Sequence, residues 1–374
     1  SFSQSPLITI DESNQKEWVD SVYQSLSQEE KIGQLFTVWV ATKYGKEEID
    51  HISNLIKKYN LGGLIFSLGN IKDQADATNH FQSISNVPLL IGMDAEWGIG
   101  MRLDDAFSFP YNMTLGAVED NELIYKVGER IGQHANRLGV HINFAPVVDI
   151  NTNPDNPIIG SRSFGEDKYN VANKALSYMK GMQSKNLLGS AKHFPGHGDT
   201  KTDSHYTLPL ISFSAERIDS IELYPFKKLI KNNIASIMTA HLNIPSLQEG
   251  DLPLTLSKRI LTNLLKEDLG FQGLIVTDAL DMKGVVDFSK KEFADVSAMN
   301  AGNDILLMPN DLDKSVKQIK KALTRKKISN ERLEESVKKI LMAKYKVGLH
   351  EFKPIIKTKI VEEMNEEVDY ALFD

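Results

Sequence analysis

Eight short apolar runs, separated by longer stretches with helical periodicity, constrain this chain more than any other feature. The runs span residues 32–40, 61–68, 87–96, 140–150, 189–194, 234–242, 273–280 and 303–309. Helical patterns lie between them, such as 122–139, 169–185 and 257–270, and two more close the series at 311–325 and 329–347. Strands that alternate with helices imply βαβ units and a parallel sheet. Eight units predict an α/β fold closed as a (β/α)8 TIM barrel, not an open doubly wound sheet. Such a barrel takes about 250 residues. The remainder of the 374 is expected in an N-terminal arm, long loops and the closing helices. Local signals agree: Ser214, with Glu216 and Arg217, opens a helix before Tyr224, and Gly270 closes the one that begins near Ser257.

The organisation that follows is a single catalytic barrel domain over residues 1–350. Residues 351–374 carry the acidic run EEMNEE and read as a C-terminal tail or the start of a linker, leading to a further domain where the natural protein has one. A net charge of −7 argues against nucleic acid as a partner, and no run of about 18 apolar residues offers a membrane span. Cysteine is absent, which excludes disulfides, thiolate catalysis and cysteine-held metals. The chain opens SFSQSP rather than with Met. A removed signal segment fits that opening and tips the expectation toward export, periplasmic or extracellular, over the cytoplasm.

A barrel carries its chemistry on the loops at the C-terminal ends of its strands. Polar residues gather there: Asp94 and Glu96, Asp149, Lys192 and His193, His241, Asp278, then Asn310 and Asp311. Several converging on one mouth suit a hydroxyl-rich ligand. Each has a plainer reading. Asp278 after LIVT could cap a helix, Asp149 reads more strongly as structural, and Glu96 and His241 read as supporting or packing groups. Arg162, in the loop 150–165, either clamps a substrate oxygen or pairs with Asp149 or Glu166.

The densest stretch is KHFPGHGDTKTDSH, residues 192–205. His193 and His197 are spaced i, i+4, which on a helix could place two imidazoles on one metal. Pro195, Gly196 and Gly198 break that helix, and Phe194 stands where a zinc-protease motif needs Glu. No metal and no other cofactor is expected. A surface turn is the bland alternative. The sharper one is a mobile catalytic loop, because Asp203, two residues before His205, can orient that imidazole and favour its cation.

KHFPGHGDT (192–200), DSH (203–205), GSRSFG (160–165) and GLIVTDALDM (273–282) together resemble glycoside hydrolase family 3, in its β-N-acetylglucosaminidase branch, over roughly residues 15–350. The resemblance implies that Asp278 is the nucleophile, His205 the acid/base and Asp203 its partner. It implies that Asp94, Arg102, Arg162, Lys192 and His193 grip the sugar hydroxyls. Where the family usually reads DQEGG, this chain reads DAEWGIG; Trp97 and Ile99 depart, and Trp97 becomes a candidate to stack on a sugar face. The implied activity is retaining exo-hydrolysis of terminal non-reducing GlcNAc from peptidoglycan fragments or other glycans, through a covalent glycosyl-enzyme. Family members with this dyad that use phosphate instead of water make a β-N-acetylglucosaminide or β-glucoside phosphorylase the alternative. A non-catalytic glycan-binding barrel and a metal-dependent hydrolase complete the set.

Overall fold

A computed structural model of the chain describes residues 5–202, 207–248, 250–286, 288 and 293–373. Eight strands form one ring: β1 Phe36–Val40, β2 Gly63–Phe66, β3 Leu90–Met93, β4 Ile142–Asn143, β5 Leu188–Phe194, β6 Ser236–Thr239, β7 Leu274–Thr277 and β8 Leu306–Leu307. Each pairs in parallel with its sequence neighbour from β1 to β7, and β8 pairs with β1. A parallel bridge between Val276 and Ile305, with the Thr277 N–H donating to the Ile305 carbonyl at 3.0 Å, brings β7 to β8 and nearly closes the barrel.

Every expected strand is present, but each apolar run except the fifth overstates its strand. The run at 32–40 begins in a helix, Gln28–Gly33, because Ser27 and Glu30 form a reciprocal capping box there. At the other end, Ala145, Val147 and Val148 are fully buried past the end of β4. Apolar character at the barrel mouth therefore marks buried loop as well as ladder. The helices fare better, since their caps are written locally. Asp120, Asp167, Asp311 and Ser329 each accept a hydrogen bond from a backbone N–H two or three residues on and open the helices Asn121–Arg137, Lys168–Ser184, Leu312–Thr324 and Asn330–Lys346. Asp311 is thus a cap, not a group of the mouth. Gly270, at φ 69°, ends the turns of Arg259–Asp268 in the left-handed region. Among the described residues no helix is long and apolar enough to cross a membrane.

Residues 351–373 run back across the barrel wall, with Ile360 and Met364 fully buried. Asp369, also buried, accepts from Arg130 Nε at 2.7 Å, and Arg130 Nη2 reaches Glu366 at 2.9 Å.

Two ionic arrangements lie away from the mouth. Asp304, at the entry to β8, accepts from Ser336 Oγ at 2.7 Å and the Ile275 N–H at 3.1 Å and pairs with Arg332 at 3.1 Å. Burial works against its charge, but Lys339, Lys266 and Arg332 outweigh burial and hold the carboxyl well below the usual range. Lys344 is different. It is fully buried, and its ammonium donates to Gln34 Oε1 at 2.6 Å. Burial pushes its pKa down to about 7. The penalty for charging it in the fold is therefore complete below about pH 7 and fades as pH rises toward the ordinary lysine value of about 10.4. Replacing Lys344 with Met is expected to stabilise the protein by about 2 kcal/mol at pH 7, less than the full charging penalty because Gln34 Oε1 loses its donor. Thermal melts across pH should show the gain shrinking from pH 7 to pH 10. A gain that grows with pH would contradict this account.

Candidate functional site

A cavity of about 510 Å³ opens at the C-terminal ends of the strands. Asp94, Arg102, Arg162, Lys192, His193 and Asp278 all line it, as does Glu96. Asp203 and His205 lie outside the described residues.

The ionic side is built from β3, the loop after β4, and β5. Lys192 is the last but two of the β5 residues and almost wholly buried, so its ammonium needs charge partners. It finds two: Asp94 Oδ1 at 2.8 Å and Glu96 Oε1 at 2.7 Å. Glu96 is shared, since Arg162 grips it with both Nη2 at 2.7 Å and Nε at 2.9 Å, the two-pronged geometry that suits guanidinium and carboxylate. Arg102 holds Asp94 from the other flank, donating to Oδ2 at 3.1 Å and to the backbone carbonyl at 3.0 Å. Burial alone would raise the pKa of Glu96; Lys192 and Arg162 reverse it and hold the carboxyl far below the usual range. Arg162 is raised in turn: burial disfavours its charge, and Glu96 more than compensates. Arg162 therefore pairs with Glu96, not with Asp149 or Glu166. Glu96, which reads from sequence as a supporting group, is the hub of this side of the cavity.

The loop after β5 hangs on Asp149. Its buried carboxylate accepts from the His193 ring at Nδ1 (2.7 Å), from the His193 N–H (3.2 Å) and from the His197 N–H (2.7 Å). Burial favours the neutral acid, but His193 and His197 and their N–H groups outweigh it, so Asp149 is ionised. With Nδ1 protonated toward Asp149, His193 presents Nε2, which lies 3.5 Å from Arg162 Nη2. His197 is buried yet also lines the cavity, with Nδ1 2.8 Å from Thr200 Oγ1, and burial lowers its pKa to about 4, helped by His193. The His193 and His197 rings meet edge-on with their centroids 5.9 Å apart. Gly198 packs so tightly on the Ile150 carbonyl that a Cβ would sit 1.8 Å from that oxygen, so no other residue fits that turn.

Asp278 stands immediately past β7. Its N–H donates to the Thr239 carbonyl at 3.0 Å, and its Oδ1 accepts from the Ala279 N–H at 2.8 Å. Burial would raise its pKa, but the imidazoles of His193 and His241, the Ala279 N–H and the Lys192 ammonium together lower it. The carboxylate is therefore ionised at neutral pH, inside the cavity. His241 steadies the chain behind it, with Nε2 donating to the Ala279 carbonyl at 2.9 Å and Nδ1 2.9 Å from Thr255 Oγ1. Trp97 packs edge-on against Tyr111 at 4.7 Å; the indole that lines the cavity is Trp39 of β1, which no sequence signal singled out. The arrangement offers fixed donors and acceptors for hydroxyl groups and, next to them, an ionised carboxylate.

Residues 27–343 match the glycosyl hydrolase family 3 N terminal domain. The chain is 38% identical over 329 residues to β-hexosaminidase A of Pseudoalteromonas piscicida; the match covers 79% of this chain, which spans only 55% of that relative. Among solved structures, a β-glucoside phosphorylase bound to 2FGlc superposes with a TM-score of 0.92 at 26% identity, covering 100% of this chain and 68% of the other. A β-N-acetylglucosaminidase of this family from Paenibacillus sp. str. FPU-7 superposes with a TM-score of 0.83 at 33% identity, covering 91% and 68%.

Glu96→Gln removes the charge that Lys192 and Arg162 share and leaves two buried cations short of a counter-ion. Its expected effect is a loss of about 3 kcal/mol in affinity for a monosaccharide, roughly a hundredfold in a calorimetric titration. An affinity within threefold of wild type would show that the network is not what organises the cavity.

Proposed function

The chain belongs to glycosyl hydrolase family 3, and from that premise we propose that it is a retaining exo-acting β-N-acetylglucosaminidase. Terminal non-reducing GlcNAc, on peptidoglycan fragments or other glycans, is its substrate. One observation carries the reading: an ionised carboxylate, Asp278, shares a single cavity with the Asp94–Lys192–Glu96–Arg162 network. A sugar held by its hydroxyls on that network presents its anomeric carbon to Asp278.

The chemistry proceeds in two displacements. A lone pair of the Asp278 carboxylate attacks the anomeric carbon as the glycosidic C–O bond breaks, and the leaving oxygen takes a proton from His205. A glycosyl ester on Asp278 results. Water then attacks the same carbon, gives its proton to His205 and frees the carboxylate, so the anomeric configuration is retained. Asp203 favours the imidazolium that the first step needs. Asp278 suits its part, because cationic and N–H neighbours keep it ionised despite burial. Lys192, Arg162, Arg102, Asp94 and His193 hold the ring in place, so the reacting atoms meet without further ordering.

A second reading has its own support in the superposition on a β-glucoside phosphorylase over the whole chain. Phosphate in place of water in the second step would give a sugar 1-phosphate. A histidine acid/base, which is neutral when it would meet that anion, repels it less than a carboxylate would.

Two measurements test these readings. Incubation with a 2-deoxy-2-fluoro glycoside bearing a good leaving group should trap the ester, adding one sugar mass to the peptide that contains Asp278. Asp278→Asn should give no adduct and lower turnover of 4-nitrophenyl β-N-acetylglucosaminide by at least about 10³-fold; an adduct on another residue overturns the assignment. Product analysis with added inorganic phosphate should show free GlcNAc only. Accumulation of GlcNAc 1-phosphate would replace hydrolysis by phosphorolysis.

A further inference from the structure

Four of the eleven methionines line the cavity: Met101, Met238, Met282 and Met308. Three of them belong to β6, the segment after β7 and the position just past β8, so they bracket Asp278. Met238 precedes Thr239, whose carbonyl receives the Asp278 N–H at 3.0 Å. Met308 follows Leu307, whose carbonyl receives the Leu280 N–H at 2.9 Å and so fixes the chain that leads to Met282. Met238 and Met282 are buried. The cavity thus has two unlike walls. Its ionic groups come from β3 and the segment after it, the loop after β4, and β5, with Met101 among them. The other three thioethers come from β6 and the segments after β7 and β8, where, among the described residues that line the cavity, the charged groups are Asp278 and the exposed Asp281.

Met308 also has an unusual backbone. Its φ is 49°, in the left-handed region that Gly or Asn would occupy at lower cost. Its N–H donates to the Thr37 carbonyl at 2.9 Å, which ties it to β1. A bulky residue kept in a costly conformation where it lines the cavity points to use at the site.

Resting on the hydrolase reading above, we propose that Met308, with Met238 and Met282, forms the wall that receives the substituent on C2 of the sugar, and that Met308 sets the preference for acetamido over hydroxyl there. C2 is bonded to the carbon that Asp278 attacks. Once the ring hydroxyls lie on the ionic wall, the C2 substituent falls beside Asp278, against the thioethers. An acetamide methyl gains contact with polarisable sulfur and methylene groups. A hydroxyl in the same place meets thioether sulfur, a weak acceptor, and gives up water.

The test reads binding, not turnover. Free GlcNAc and glucose are titrated into the wild type, Met308→Ala, Met308→Leu and Met282→Ala, each checked by a melting curve. The wild type should bind GlcNAc the more tightly. Met308→Ala should weaken GlcNAc about fivefold, the equivalent of one lost methylene contact, and leave glucose within twofold; Met282→Ala should move in the same direction, so the question survives if one variant does not fold. Met308→Leu, of similar volume, should keep the preference. The proposal is overturned if wild type binds both sugars alike, if the alanine variants keep the wild-type ratio, or if they weaken both sugars equally. Failure of the hydrolase reading shows elsewhere, as absence of the ester on Asp278 while these affinities stand.

Discussion

The turn that follows β5 makes almost no regular backbone pairing, and the carboxylate of Asp149 takes the place of a ladder. It accepts two N–H groups and one imidazole from residues 193–197. That carboxylate comes from the other long loop, whose residues tie back in turn: Asn156 Nδ2 donates to the His197 carbonyl at 2.9 Å and Asn153 Nδ2 to the Thr200 carbonyl at 3.1 Å. A buried anion with so many donors is stable only while all of them stay in place. The position of His193, and the course of the chain through residues 193–200, follow from it. An Asp149 forced to be neutral would release two loops at once.

Charge is handled differently at the two ends of the barrel. In the mouth, two carboxylates and three cations of the ionic wall compensate one another at 2.7–3.1 Å, and the cost of burying them yields a set of preorganised hydrogen-bonding groups. At the opposite face, Asp304 is compensated by cations from the closing helix, and Lys344 shares its charge with only an amide oxygen. The first arrangement presents fixed donors and acceptors at the cavity, the second fastens the helix Asn330–Lys346 to β7 and β8, and the third works against stability.

What could be read from the sequence was whatever is encoded locally. Apolar periodicity gave the eight strands and their order around the ring, and the helical patterns from 122, 169 and 329 began within one residue of the helices that Asp120, Asp167 and Ser329 cap. Strand ends were harder, because buried loop and buried ladder look alike in residues such as Val147 and Val148. The candidate site was legible as a set: Asp94, Arg102, Arg162, Lys192, His193 and Asp278 meet in one cavity. Partnerships were not, since they join residues far apart in the chain. Arg162 meets Glu96 across 66 positions, and no spacing rule would choose it over the nearer Asp149 or Glu166. Trp39 and the methionine wall were hidden for the same reason, each an ordinary apolar residue in or just after a strand until the ring closes. Asp311 illustrates the opposite error: an acid at a strand end whose work is purely local.

The last stretch of the chain reaches the mouth without entering it. The Met364 carbonyl accepts from the Phe107 N–H, Asn365 Nδ2 donates to the Asp105 carbonyl at 3.0 Å, and Tyr370 packs edge-on against Phe107 at 4.8 Å. Those partners sit on the same excursion after β3 that carries Arg102, the residue that steadies Asp94. Proteolytic trimming of residues 360–373 would therefore act as a remote lesion. Nothing in the cavity would be cut, yet the strap that sets the posture of the segment carrying Arg102 would be gone.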